Sequence, residues 1–440
     1  MITGKLADFI TATHHEKLPK KAIYQAKLCF LDFLGVTLRG SKTRSSMAIN
    51  NIINESSEST VIGHKKANAL DSALANGIAA HCLDLDDGHR FAQMHPGACV
   101  IPAALATCEA YNKNGKEFIN SIIAGYEVAI SLGILVNPEH RNKGFHSTGT
   151  CGTFGAAAAA CYALNLDKTD TMNALGLAGT QASGLLESDH SGSMGKHLHA
   201  GKAAQSGVLS ALLAKEGFSG ASSIIDGKEG FISAMVNGDI KDKKLEIGSF
   251  HIQDIYFKKY PICRHLHSTI DAALGILNKN SIKKENIQKI LVKTYKIAAN
   301  HDNYNPKTEE AIRQSLPVSL AIAVKNGNLS LDNLKTDDEI AKISSKIVTE
   351  CDENLDGLYP YKRSSKVIIQ TEDCSYSECV DLPKGEPENQ FTKNELKDKF
   401  IELNSNVSHN ILEIVDDLES YNMKELMIIL NKEFKRSSSI

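Results

Sequence analysis

Up to about residue 240, apolar residues recur at three- and four-residue steps, the period of an amphipathic helix. Ile23, Ala26, Cys29, Phe30 and Phe33 share one face of a helix predicted over 19–38. The same period predicts helices over 71–83, 97–111, 116–132, 155–164, 169–183 and 200–216, the last ended by Gly217. No strand-like alternation interrupts the series, which points to a large all-α domain. The texture changes near residue 250. Ile290, Val292 and Tyr295 among polar neighbours predict a strand within 288–299, and 365–371 predicts a second. A polar turn over 372–378 then leads into a third strand at 379–382, while 270–278 and 315–325 read as helices. Pro383 and Pro387 break the chain, and Thr392-Lys393-Asn394-Glu395 is a capping box that opens a new helix. The reading is therefore mostly α: a helical domain over 1–250, a smaller α+β domain over 251–390, and C-terminal helices over 391–440 that return to the first domain. The tail, 435–440, is expected to fray.

Composition narrows this picture. A chain of 440 residues is too long for one core, so more than one domain is expected. The net charge of −3 argues against a nucleic-acid surface. Ten cysteines at irregular positions form no disulfide framework; Cys29, Cys99, Cys108 and Cys161 sit in apolar or small-residue runs that suit buried thiols. Cys374 and Cys379 have no partners at zinc spacing. The start, Met1-Ile2-Thr3-Gly4-Lys5, carries no secretory pattern, and no run reaches about 18 apolar residues, so the cytoplasm is the default location and no membrane span is expected.

Four polar segments carry candidate chemistry. The first runs from His81 through Asp84, Asp86, Asp87, Gly88 and His89 to His95-Pro96-Gly97. On a helix end, Asp84 and Asp87 would share a face with Asp86 turned away, a grouping suited to acid–base work or metal ligation. The second, 144–155, is a polar cluster with His146 that opens an Ala-rich helix. Its first turn would offer N–H groups to an anion, and Gly149 and Gly152 would let a ligand approach. The third is Gly195-Lys196-His197-Leu198-His199, just before a helix, where Lys196 suits a carboxylate. The fourth is Tyr260-Pro261-Ile262-Cys263-Arg264-His265-Leu266-His267, in which Arg264 could grip a carboxylate bidentately. Each alone also reads as a solvated loop or a salt-bridged helix end. Together they fit one anion-binding cleft. No phosphate loop, dinucleotide turn or G-x-S-x-G is present.

These segments, in this order, resemble the MmgE/PrpD family, which includes 2-methylcitrate dehydratase, cis-aconitate decarboxylase and iminodisuccinate epimerase. The resemblance rests on 76–97, 125–128 (Gly-Tyr-Glu-Val), 144–155, 174–184, 195–207, 260–273 and 385–391. It implies a homodimer of helical domains with an α+β lid, and cofactor-free, metal-free catalysis on a small di- or tricarboxylate. It implies a catalytic set of Asp84, His95, His146, Lys196 and His267, with Arg264, Thr150 and His199 as substrate-binding positions. Decarboxylase-type members have Thr at Gly88, and dehydratase-type members have Asn-Asp-Thr at Asp86-Asp87-Gly88; the Asp-Asp-Gly-His-Arg form is closer to the epimerase-like branch. The expectation is a lyase or isomerase that moves a proton beside a carboxylate, for which histidine is suited. Two rivals stand beside it: a metal-dependent hydrolase using Asp84, Asp87, His89 and His95, and a ligand-binding member without chemistry.

Overall fold

The computed structural model describes the chain apart from residues 237–239, 241–242, 406–409 and 437–440, so most of the tail expected to fray lies outside the described residues. The chain is mostly α and divides into two compact units. Unit 1 comprises Met1–Glu187, Met194–Tyr256 and Thr392–Ile440; unit 2 comprises Ser188–Ser193 and Phe257–Phe391.

The longer helices of unit 1 are α1 (Ile2–Ala12), α2 (Lys20–Gly40), α3 (Ala69–His81), α4 (Gly97–Ala110), α5 (Gly115–Val136), α6 (Ser147–Ala163), α7 (Lys168–Gly179) and α8 (Gly195–Lys215). Small residues let α3, α5, α6 and α8 approach to backbone contact. A Cβ on Gly77 of α3 would lie 2.7 Å from the Gly201 Cα of α8, and one on Gly155 of α6 would lie 2.7 Å from the Gly125 carbonyl oxygen of α5. Helix α5 is long and apolar enough to cross a membrane by composition, yet it is buried inside unit 1 and is a core helix. Two short antiparallel pairs accompany the helices, β1 (Glu55–Thr60) with β2 (Lys66–Ala67), and β3 (Gly88–His89) with β4 (Ile255–Tyr256). Periodicity missed them: β2, β3 and β4 are two residues long and have none, and β1, Glu-Ser-Ser-Glu-Ser-Thr, has no apolar residue.

In unit 2, α9 (His267–Asn280) and α10 (Leu316–Asn326) pack on a sheet of order β6-β5-β7-β8, formed by β5 (Lys289–Thr294), β6 (Ile347–Cys351), β7 (Ser365–Gln370) and β8 (Ser375–Val380). Strands β5 and β6 are parallel, and the other pairs are antiparallel. Ile290 and Val292 of β5 and Val367 and Ile369 of β7 point to one core with Ile270 and Ile276. The third strand starts earlier than its sequence reading because Thr371 N–H closes a tight turn on the Cys374 carbonyl. The edge strand β6, short and mostly exposed, was missed.

The chain returns to unit 1 through α11 (Lys393–Leu403), whose Thr392–Glu395 capping box is formed as read, and α12 (Met423–Arg436). Cys29, Cys82, Cys99, Cys108, Cys151 and Cys161 are buried thiols outside any disulfide, and burial pushes Cys108 and Cys151 up to about 12.

Candidate functional site

Three helix ends meet in unit 1. Helix α3 ends at His81, α6 begins after its N-cap His146, and α8 begins at Gly195 with Lys196 and His199 in its first turns. The sequence reading placed His146, Lys196 and His199 on polar loops ahead of their helices. Instead α6 starts at Ser147 and α8 at Gly195, and His146 is only 4% exposed. The reason is packing. A Cβ on Gly152 would meet Cys99 Sγ at 2.5 Å, and one on Gly149 would strike the Ser183 carbonyl. These glycines serve helix contacts rather than ligand approach.

The acidic run is splayed, not stacked on one helix face. The chain leaves α3 at Cys82, and Asp84 takes a left-handed backbone (φ 50°), which aspartate tolerates better than most residues. Asp84 then reaches Lys196 Nζ at 3.2 Å. Asp86 Oδ2 accepts from His81 Nδ1 at 2.7 Å and lies 3.6 Å from His95 Nδ1. Asp87 turns into the core, where its carboxylate accepts from the Tyr126 hydroxyl (2.6 Å) and the Gly97 N–H (3.0 Å). Burial pushes Asp87 up to about 7, helped by the carboxylates of Asp32 and Asp86 and opposed by those two hydrogen bonds.

The hydrogen bonds fix imidazole tautomers. His95 Nδ1 lies 2.6 Å from the Asp87 carbonyl oxygen, which only accepts, so Nδ1 carries the proton. His81 likewise directs Nδ1–H to Asp86, and its buried Nε2 has no hydrogen-bond partner. The His81 ring stacks on His146 (centroids 5.7 Å, 18°) and lies 5.2 Å from that of His95. His146 Nδ1 meets His199 Nδ1 at 3.0 Å. Burial holds His146 well below the ordinary histidine range, and His81, His199, Lys196 and Arg141 add to the effect, so it is a neutral imidazole at neutral pH. The Thr148 hydroxyl, on the first turn of α6, accepts the His95 backbone N–H at 3.0 Å. The result is a cluster of four imidazoles, His81 and His146 buried and His95 and His199 half-buried, with one ammonium–carboxylate pair.

The remaining sequence candidates are Thr150, on α6, and Arg264 and His267, in unit 2. Thr150 is buried on α6, with its hydroxyl 2.7 Å from His140 Nε2, whose Nδ1 donates to the Met235 carbonyl. His267 and Arg264 belong to unit 2. Arg264 donates to Glu386 (3.0 Å), to His267 Nδ1 (3.1 Å) and to the carbonyls of Lys384 and Pro383. That leaves no donor pair for the bidentate carboxylate grip read from the sequence. His267 accepts at Nδ1 and donates from Nε2 to the Ile262 carbonyl at 3.3 Å, so both ring nitrogens serve the local fold. Glu386 also accepts from Arg363 at 2.9 Å and is fully buried.

Both halves of the chain match one family. Residues 4–243 match the MmgE/PrpD N-terminal domain, and residues 260–419 match the MmgE/PrpD C-terminal domain. The chain belongs to the MmgE/PrpD family.

Among relatives, the cis-aconitate decarboxylase of Aspergillus terreus is 24% identical over 420 residues, covering 87% of this chain and 85% of that protein. Human cis-aconitate decarboxylase is 29% identical over 293 residues, 63% of this chain and 60% of the human protein. The cis-aconitate decarboxylase-like protein oryM of Aspergillus oryzae is 28% identical over 251 residues, 54% of this chain. The chain thus spans about half the length of oryM, 52%. The MmgE/PrpD resemblance directed attention to His95, His146 and Lys196 and passed over His81 and Asp86. A histidine at the end of an Ala-rich helix, five residues before an aspartate, was the available signal.

Proposed function

We propose that the chain is a lyase of the MmgE/PrpD family that acts on a small di- or tricarboxylate by proton transfer at a carbon next to a carboxylate. One observation carries the reading: His146, a buried imidazole held neutral, lies in one cluster with Lys196 and with His95, whose ring is oriented through Nδ1. Loss of a proton or of carbon dioxide beside a carboxylate leaves an electron pair that spreads into an enolate-like group. Lys196, held by Asp84, stabilises that charge. His146 takes a proton in its neutral form. His95, its Nδ1–H held by the Asp87 carbonyl, returns one through its other ring nitrogen. Asp84 positions Lys196 in this scheme. No cofactor enters, and the enzyme works as a homodimer.

The relatives named cis-aconitate decarboxylase make a decarboxylation the leading variant; dehydration and epimerisation use the same groups. NMR in deuterated water with citrate, 2-methylcitrate, cis-aconitate and iminodisuccinate separates them through release of carbon dioxide, release of water, or C–H exchange alone. Inertness toward the whole set would sink the reading.

A metal-dependent rival would need a different set from the one read in the sequence. Asp84, Asp87 and His89 engage Lys196, Tyr126 with Gly97, and the Ala92 N–H, respectively. Atoms of His81, Asp86 and His95 do lie within 4.8 Å of one another. Stoichiometric metal in active protein, removed together with activity by a chelator, would favour that rival.

A further inference from the structure

The loop that orients His95 also carries an unusual contact. Gly88 of β3 pairs with Tyr256 of β4, and the Tyr256 phenol packs against Gly88. A Cβ added at Gly88 would fall 2.8 Å from Tyr256 Cε2, and closer still to Cζ and Oη, inside the distances that real Cβ atoms reach. Any side chain at position 88 therefore evicts the phenol. The ring stands edge-on to His95, at 87° with centroids 6.4 Å apart, and is 4% exposed.

Its placement is built, not incidental. Glu127 of α5, itself buried, accepts the backbone N–H groups of Gly248 (2.6 Å), Ser249 (2.9 Å) and His251 (2.8 Å). Three charge-assisted hydrogen bonds thus fix the segment leading into β4. A phenol is a strong hydrogen-bond donor that stays protonated at neutral pH, and it suits an oxygen of a carboxylate. Tyrosine beside the imidazole assigned to proton return is placed to read the acid that imidazole serves.

We propose that Tyr256 is a substrate-contacting, specificity-determining residue, and that Gly88 is glycine so that the phenol can stand beside His95 and donate to a substrate carboxylate oxygen. This rests on the polycarboxylate reading above. The test compares wild type with Tyr256→Phe, Gly88→Ala, Tyr256→Ala and the double variant Gly88→Ser with Tyr256→Ala. Each is assayed for kcat and KM on every acid of the NMR panel that wild type turns over, and for thermal stability. Tyr256→Phe should fold normally, lose tenfold or more in kcat/KM, and change the preference between acids. Gly88→Ala should lose at least as much by displacing the phenol. The serine of the double variant reaches the space the phenol leaves and should recover part of what Tyr256→Ala loses, which a merely structural tyrosine would not allow. Tyr256→Phe with wild-type kcat/KM and selectivity, from a wild type that is active, would overturn this inference alone. A wild type inert to every acid would overturn the reading beneath it.

Discussion

Asp87 offers the sharpest quantitative test, because its pH dependence runs opposite to that of an ordinary aspartate. The carboxyl is buried between α4 and α5 and pushed up to about 7 from an ordinary 3.8, chiefly by burial. A group whose folded pKa is raised stabilises fully below its unfolded pKa, and that contribution is lost as pH rises toward the folded value. Between about pH 4 and pH 7 the unfolded chain has released this proton while the folded chain keeps it. Each pH unit there costs about 1.4 kcal/mol, so the gap from 3.8 to about 7 amounts to about 4 kcal/mol. Above pH 7 both states are ionised and the loss levels off.

Asp87→Asn removes the titration and nearly preserves the shape. Its amide oxygen accepts the Gly97 N–H, and the Tyr126 hydroxyl accepts from its amide nitrogen. Urea unfolding of both proteins at half-unit steps from pH 5 to 8 measures the effect, and titrating groups not coupled to Asp87 cancel in the difference. The variant should gain on wild type by about 2 to 3 kcal/mol between pH 5 and pH 7, then hold level. A difference that is flat across this range, or that falls with pH, would show that Asp87 is ionised in the folded protein and that burial does not dominate its environment.

His146→Gln should lower turnover by about 10²- to 10⁴-fold. Because His146 is buried and stacked on His81, it should also cost about 1 to 2 kcal/mol in a thermal melt, unlike a loop residue. Since His146 is held well below its ordinary range, the acid limb of the wild-type kcat/KM profile that it governs should lie below pH 6.5; a limb at or above that value would remove it as the base. Lys196→Ala should weaken binding and rate more than tenfold, and Lys196→Arg should not restore both, because a planar fork does not replace a compact ammonium beside Asp84; a wild-type-like arginine variant would refute the point-charge role. Glu386→Ala strands two buried arginines and should destabilise the protein by about 3 to 5 kcal/mol in denaturant melts, whereas a neutral outcome would mean that Arg264 and Arg363 find other partners.

Much of the helical frame was legible, because apolar spacing marks a helix wherever one face is buried. The readings at 19–38 and 97–111 fall within two residues of Lys20–Gly40 and Gly97–Ala110. Two misses among the helices share one cause. Gly149, Gly152 and Gly195 look like helix breakers on propensity, so the starts of α6 and α8 were set eight and five residues late, at 155 and 200 rather than Ser147 and Gly195. Their cost is met by contacts that only the folded chain makes, such as Gly152 against Cys99. Arg264 illustrates the converse: its residue type suits a carboxylate, but Glu386, 122 positions away, takes that role, and nothing local foretells it.

The same close crossings explain why site chemistry gathers where it does. Helix α3 meets α8 at Gly77 and Gly201, and about one turn from that crossing lie His81 on one helix and Lys196 on the other. A larger residue at Gly77 would push apart two backbones that now touch, since its Cβ would lie 2.7 Å from Gly201 Cα and 3.0 Å from the Ala98 carbonyl oxygen. Neither neighbour is a flexible side-chain tip that could yield. Separation there would move His81 relative to Lys196 and, through the stacked ring, relative to His146. The small residues therefore do two things at once: they bury the helical core, and they hold His81, His146 and Lys196 at fixed spacing. The glycines, which carry no chemistry of their own, set the geometry of the residues that do.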